Sequence, residues 1–164
     1  MPNEPNLPVR AIGAVHTKAG TEEIRDRKED TVSDIEIFEE FEDALEGVEG
    51  FSHLFIIGYF NQLRQDQQGV LKVKPRRLLR HGLTEDELPL LGVFSLDSPS
   101  RPNPIGLSLV QLLSREGRML RVRGLDYFDG TPVIDIKPYQ SSYRADEYTM
   151  PEWYRTLHER AGSV

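Results

Sequence analysis

The 164 residues are 38% hydrophobic and 29% charged, a globular balance for one domain that excludes a wholly disordered chain. No cysteine is present, which removes disulfides, thiolate metal sites and cysteine nucleophiles, and no apolar run nears the roughly 20 residues needed to cross a bilayer. A formal net charge of −7 argues against a sequence-blind nucleic-acid binder, although acids crowd residues 22–49 while Lys72, Lys74, Arg76, Arg77, Arg80 and His81 form a basic run.

Residues 1–8, rich in Pro and Asn, read as a disordered leader without the basic start or apolar core of a signal peptide, which makes the cytoplasm the expected compartment. Residues 9–17 form a first strand and residues 18–31 a long charged loop. The alternation Asp34-Ile35-Glu36-Ile37-Phe38 predicts a half-buried strand, and Phe41, Ala44, Leu45 and Val48 recur at helical spacing. Residues 51–60, aromatic and β-branched, predict the central buried strand. Further strands are predicted over residues 70–74, 90–96, 106–113, 119–125 and 132–136, with polar coil over 140–149 and a terminal helix over 150–161. Strands without β-α alternation predict a mainly β fold, a compact antiparallel β-barrel of about seven strands with peripheral helices. The barrel domain spans residues 9–139, and residues 140–164 form a C-terminal coil and short helix.

The strongest chemical signal is the loop Asp97-Ser98-Pro99-Ser100-Arg101-Pro102-Asn103-Pro104-Ile105-Gly106. Its prolines fix φ and bias their predecessors toward extended backbone, giving a preorganised loop suited either to a small polar ligand or to a stiff crossover between strands. Asn61 and Gln62 end the central strand, where barrel mouths hold ligands. Asp126 and Asp129 are candidate proton acceptors; Asp129, which precedes Gly130, reads first as a turn former. The four histidines share no metal-ligand spacing, so no metal site is expected, and His53 reads as a core or interface residue. Ser52 and Ser108 lie in no nucleophile elbow. Arg76 and Arg77 suit an RNA backbone, and Lys137 suits a phosphate or a surface ion pair.

The segments Gly92-Val93-Phe94 and Ser98-Pro99-Ser100-Arg101-Pro102-Asn103-Pro104-Ile105-Gly106-Leu107-Ser108 resemble the TrmO-like (YaeB-like) family of S-adenosylmethionine-dependent methyltransferases. Ile12-Gly13-Ala14-Val15, Gly50-Phe51-Ser52-His53-Leu54 and the run from Leu125-Asp126-Tyr127-Phe128-Asp129-Gly130 to Ile136-Lys137-Pro138-Tyr139 agree, so the resemblance covers about residues 9–139. It implies a compact antiparallel barrel, a homodimer with the cofactor site near the subunit interface, and N6-methylation of threonylcarbamoyl-adenosine beside the tRNA anticodon. It also implies a cofactor pocket lined by Phe94, Ser95, Asp97, Arg101, Asn103, Pro104, Ile105, Gly106, Leu107, Leu125, Asp126, Tyr127 and Phe128; to these the reading of the residues adds Asn61 and Gln62 at the cofactor and Arg76, Arg77, Lys137 and Tyr139 on the substrate side. One segment and two positions depart from the family pattern. No Pro-Arg-Gln-Gly-like segment occurs over residues 21–28, Asp97 stands in place of an arginine, and Asn61 in place of a histidine. Those departures keep two alternatives open: methylation of a small metabolite or another RNA, and a non-enzymatic cofactor- or RNA-binding module.

Overall fold

The computed structural model describes residues 7–26 and 28–162, so the leader expected over 1–8 lies outside the described residues except for Leu7 and Pro8. In chain order the described strands are β1 (Gly13–His16), β2 (Val32–Ile37), β3 (His53–Tyr59), β4 (Lys72–Val73), β5 (Leu91–Gly92), β6 (Ile105–Glu116), β7 (Met119–Arg123) and β8 (Pro132–Pro138), with helices α1 (Thr21–Asp26) and α2 (Glu152–Arg160). They fall into two compact units. One comprises residues up to Gln62 with Ile105–Gln140, the other Leu63–Pro104 with residues from Ser141 onward.

The first unit is a closed barrel in the order β1-β2-β7-β6-β3-β8, every neighbouring pair antiparallel. Closure satisfies every strand edge and leaves one packed interior. Alternation fills it: Ile35 and Ile37 from β2, Leu54 and Ile56 from β3, Val110 from β6, and Leu120 and Val122 from β7 are buried, with Val15 and Val133. One end is sealed by a 3₁₀ helix, Glu39–Leu45, whose Leu45 joins the core and against which Phe41 and Val48 pack. Arg115 fastens this cover to the β6–β7 hairpin: its Nη1 donates to Leu45 O (2.9 Å) and Glu49 Oε1 (2.6 Å), and its Nε to Gly117 O (2.8 Å). That guanidinium, with the backbone hydrogen bond at Glu49 itself as the larger cause, holds the Glu49 carboxyl below its ordinary range.

The other end, the mouth, gathers the ends of β1, β3 and β7 and the starts of β2, β6 and β8. There Gly58 and Gly106 are direct cross-strand partners. A Cβ on Gly58 would lie 2.5 Å from the Tyr127 ring; one on Gly106 would lie 2.4 Å from Phe60 and 2.8 Å from the Tyr127 hydroxyl. The two rings pack edge-to-face at 5.3 Å and 88° over this bare backbone and plug the bore. A register shift after Ile57 in the β3–β8 ladder adds a bulge beside the plug.

The second unit builds a small core from Leu78, Leu83, Leu88 and Leu157, with Trp153 and Ala161 packed against it. Leu78 of the 3₁₀ helix Arg76–His81 and Leu88, just after the 3₁₀ helix Glu85–Glu87, meet α2 there, Glu87 pairs with Arg160, and β4 and β5 pair as a two-stranded sheet.

Three local expectations change. Residues 90–96 yield only the two-residue β5 before a 3₁₀ turn, Val93–Ser95, that leaves Phe94 80% exposed, because the apolar run supplies one strand of a two-stranded sheet and not a strand of the barrel. Residues 18–31 hold α1 and a 3₁₀ turn, Lys28–Asp30, where a loop was expected; Ile24 anchors the helix by burial. The helical spacing over 41–48 is realised as a 3₁₀ helix.

Gly106→Ala is expected to destabilise the barrel by about 1–3 kcal/mol, as overpacking does. Thermal melts check this, with Gly92→Ala, where an added Cβ meets nothing within 4 Å, as the control of small effect.

Candidate functional site

The mouth is built from the segment 124–131, which crosses the barrel end between β7 and β8. Backbone bonds pin both ends of it: Gly124 N donates to Thr31 O (2.9 Å), Gly130 N to Val15 O (2.8 Å), and Val15 N to Thr131 O (3.0 Å). Within the segment burial alternates. Leu125 and Tyr127 point into the core at 0% and 1% exposure, while Asp126 and Phe128 stay half-buried on the rim. Tyr127 donates its hydroxyl hydrogen to Ile56 O at 2.8 Å. Burial, the largest cause, pushes its phenol well above the usual tyrosine range, and the Asp126 charge adds to the rise.

Around this segment the fold brings together most of the predicted residues of the first unit. The Gln62 amide donates to Asp129 O at 2.8 Å, and Asp129 Oδ1 accepts from Thr17 N at 3.0 Å. Gln62 and Asp129 therefore staple the end of β3 and the exit of β1 to the crossing segment. Asn61 is exposed beside them. Ile105 and Gly106 open β6 at the mouth; Gly106 is buried under the plug, whereas Ile105 and Leu107 face outward, Leu107 at 66% exposure. Asp126 accepts a close hydrogen bond from Ser108, itself buried on the inner face of β6.

Two mouth residues were missed in the sequence. α1 places Arg25 over the Phe128 ring at 5.9 Å, and Ser108 reaches Asp126 from inside the barrel. The signal for α1 was present, with Thr21 and two acids in its first turn and Arg25 in its last. This is the stretch that departs from the family pattern, and it lies at the mouth. Ser108 ends the family motif, but its role gave no signal, because a serine in a strand reads as filler until its partner is seen.

Lys137 and Tyr139 are not brought to the mouth, since β8 starts there and ends at the sealed end. Lys137 pairs with Asp135 (2.9 Å), and the Tyr139 ring packs on His53 and Phe55, with centroids at 6.5 and 5.8 Å. His53 accordingly sits on the outer face, its Nδ1 bonded to the Ser52 hydroxyl (2.9 Å).

The other predicted residues belong to the second unit. Its proline loop is tied largely to itself: Arg101 Nη1 donates to Leu96 O (3.4 Å) and Ser98 O (3.5 Å), Ser100 N to Ser98 Oγ (3.2 Å), and Ser95 Oγ to Gly92 O (2.8 Å). Asn103 and Asp97 are exposed and Pro104 is half-buried, and the loop's rigidity comes from hydrogen bonds as well as from prolines. In the basic run, Lys74 and Arg76 both converge on Glu85 (Nζ–Oε1 3.7 Å, Nη2–Oε1 3.1 Å), and the Arg76 bond leads the causes that hold that carboxyl low. Lys72 and Arg77 are exposed.

A family model described as the tRNA-methyltransferase O N-terminal domain matches residues 15–145. A "Probable S-adenosyl-L-methionine-binding protein" of Methanothermobacter thermautotrophicus is 42% identical over 134 residues, covering 80% of this chain and 88% of that protein. One from Archaeoglobus fulgidus is 46% identical over 109 residues, covering 66% of this chain and 26% of that protein. The mouse "tRNA (adenine(37)-N6)-methyltransferase" is 43% identical over 107 residues, 65% of this chain but 23% of that protein. Among solved structures, a "Crystal structure of TrmO" superposes with a TM-score of 0.67 at 31% identity, covering 88% of this chain and 64% of that one.

The buried phenol yields a prediction. In the unfolded chain Tyr127 ionises near 10.0, whereas the folded protein holds the proton to higher pH, so stability is present below 10.0 and falls as pH rises past it. Tyr127→Phe is expected to cost about 1 kcal/mol at neutral pH through the lost bond to Ile56, yet to lose less stability than the parent above pH 10. Urea melts across pH 7–11 check both halves.

Proposed function

The chain belongs to the tRNA-methyltransferase O N-terminal domain family, and from that premise we propose that it is an S-adenosylmethionine-dependent methyltransferase acting on N6 of an adenosine beside the tRNA anticodon. The observation that carries the proposal is the extent of the family match, which runs from within β1 to beyond β8 and so takes in all of the barrel but the first two residues of β1. Relatives named as S-adenosyl-L-methionine-binding proteins and as tRNA (adenine(37)-N6)-methyltransferases support cofactor and substrate alike. The acceptor implied by the sequence motifs is threonylcarbamoyl-adenosine, and a tRNA substrate sets the proposed reaction in the cytoplasm.

The residues of the mouth fit the cofactor. A purine needs apolar surface, which the outward side chains of Ile105 and Leu107 offer; a cationic sulfur needs an anion, which Asp126 offers. With their side chains in the core, Leu125 and Tyr127 have only main-chain groups to contribute. When bound, S-adenosylmethionine supplies an electrophilic methyl group on a positively charged sulfur. The chain's own task is then to hold two ligands in register and to receive a proton, so positioning supplies most of the acceleration. Asp126 is the rim carboxylate we assign to offset the cationic centre and accept that proton; Asp129, the other candidate, holds Thr17 N through Oδ1.

The RNA backbone falls to the second unit. That unit carries ten Lys and Arg against nine Asp and Glu, whereas the barrel unit carries ten against eighteen, and phosphates avoid the latter. With Lys74 and Arg76 paired to Glu85, the phosphate contacts are assigned to Lys72 and Arg77. The double variant Lys72→Glu with Arg77→Glu is expected to weaken tRNA binding and flatten its salt dependence by roughly one to two units of log K per log salt. S-adenosylmethionine binding stays unchanged. Transfer of labelled methyl from S-adenosylmethionine to unmethylated tRNA tests the activity itself; no transfer and no cofactor binding together refute it.

A homodimer completes the proposal. On the outer face of β6, Ile105, Leu107, Leu109 and Leu113 are exposed, and across the ladder Tyr59, Ile57 and Phe55 stand opposite the first three. A contiguous apolar face of this kind marks an interface. Leu109→Glu is expected to convert the dimer to a folded monomer, read by sedimentation velocity with circular dichroism as the fold control.

A further inference from the structure

We propose that Ser108 is a positioning residue for the cofactor site: from inside the barrel it fixes the rotamer of the Asp126 carboxylate at the mouth. The inference rests on the reading of Asp126 as the anionic partner of S-adenosylmethionine. Ser108 lies two residues beyond Gly106 on the inner face of β6, 6% exposed, and its hydroxyl donates to Asp126 Oδ1. It also lies beside the Tyr127 phenol, which is itself held by Ile56 O.

A hydroxyl in an apolar barrel interior is costly unless paired. The contrast with Ser33 is informative: it is equally buried, on β2, and its hydroxyl has no partner among the described residues. The interior therefore does not supply partners to serines as a matter of course, and the bond from Ser108 to a rim anion is a specific arrangement. Its consequence is geometric. Asp126 sits in a crossing segment without regular structure, where a short acid would sample several staggered rotamers. A charge-assisted bond to one oxygen selects one of them and so sets the direction in which the carboxylate faces the mouth. Ser108 is shielded from the ligand and acts only through Asp126.

Calorimetric titration of the full chain with S-adenosylmethionine and, separately, with S-adenosylhomocysteine, which lacks the positive sulfur, tests this without an activity assay. Asp126→Asn is expected to weaken S-adenosylmethionine more than S-adenosylhomocysteine. Ser108→Ala is expected to reproduce that pattern at roughly 3- to 10-fold, the worth of one net hydrogen bond. Ser108→Cys, a weaker donor of similar size, should fall between parent and Ala, and carries the test if the Ala variant does not fold. Combined with Asp126→Asn, Ser108→Ala should add nothing. Parent-like binding by the Ser108 variants alongside a weakened Asp126→Asn overturns the positioning role and leaves the reading of Asp126 standing, as do additive losses in the double variant. Parent-like binding of both ligands by Asp126→Asn removes the reading and the inference together.

Discussion

The pairing of Gly58 with Gly106 beneath the Tyr127 ring is the constraint on which the barrel mouth depends. Any side chain at either position would occupy the space of an aromatic ring that is already immobilised by its bond to Ile56 O and by Phe60. With the ring seated, the period-two geometry of an extended segment decides the rest: Leu125 and Tyr127 turn inward, so Asp126 and Phe128 turn outward. The rim chemistry is thus set by two residues with no side chain. The motif glycine before Leu107, which sequence motifs alone associate with a cofactor, serves the plug and reaches a ligand only through it.

Much of the fold was legible because alternation is a local signal. Residues 34–38 and 51–60 carry it strongly, and β2 and β3 lie there; residues 119–125 and 132–136 lie on β7 and β8. The segment over 90–96 misleads for a physical reason. Apolar residues without alternation fit a buried strand or any short packed element, and in this case Val93 alone is buried while Leu90 and Phe94 face out. The 3₁₀ cover over Glu39–Leu45 satisfies the same spacing of apolar residues as an α-helix would, so its type was hidden although its place against the core was not.

The candidate site was legible in its residues and illegible in its roles. Strand-end position named Asn61 and Gln62, motifs named the run from Leu125 to Asp129, and the barrel does gather these at one end. Sequence could not show that Gln62 and Asp129 are spent stapling strands to the crossing segment, nor that Arg101 is turned back onto the carbonyls of its own loop. The basic run shows the same limit. Five cations and a histidine read as one patch, yet an acid eleven residues beyond Lys74 takes both Lys74 and Arg76. Charge composition is additive along a sequence; charge available to a ligand is what remains after folding has made its pairs.

The size of the barrel bears on where any ligand can lie. Eight strands enclose an interior just wide enough for side chains or one small ligand. With six strands, a bore packed by Ile, Leu and Val, a 3₁₀ cover at one end and two aromatic rings at the other, this interior is already filled. A ligand the size of S-adenosylmethionine therefore belongs on the outside of the rim, where a convex surface buries little of it. Tight binding needs most of a ligand's surface covered, and a rim that exposes Leu107, Ile105 and Leu109 is unfinished in that sense. The proposed homodimer follows from the same geometry: an apolar outer face that starts at the mouth gives a second copy a surface to cover, and covering it would give the rim the wall that a filled six-stranded barrel cannot provide from within.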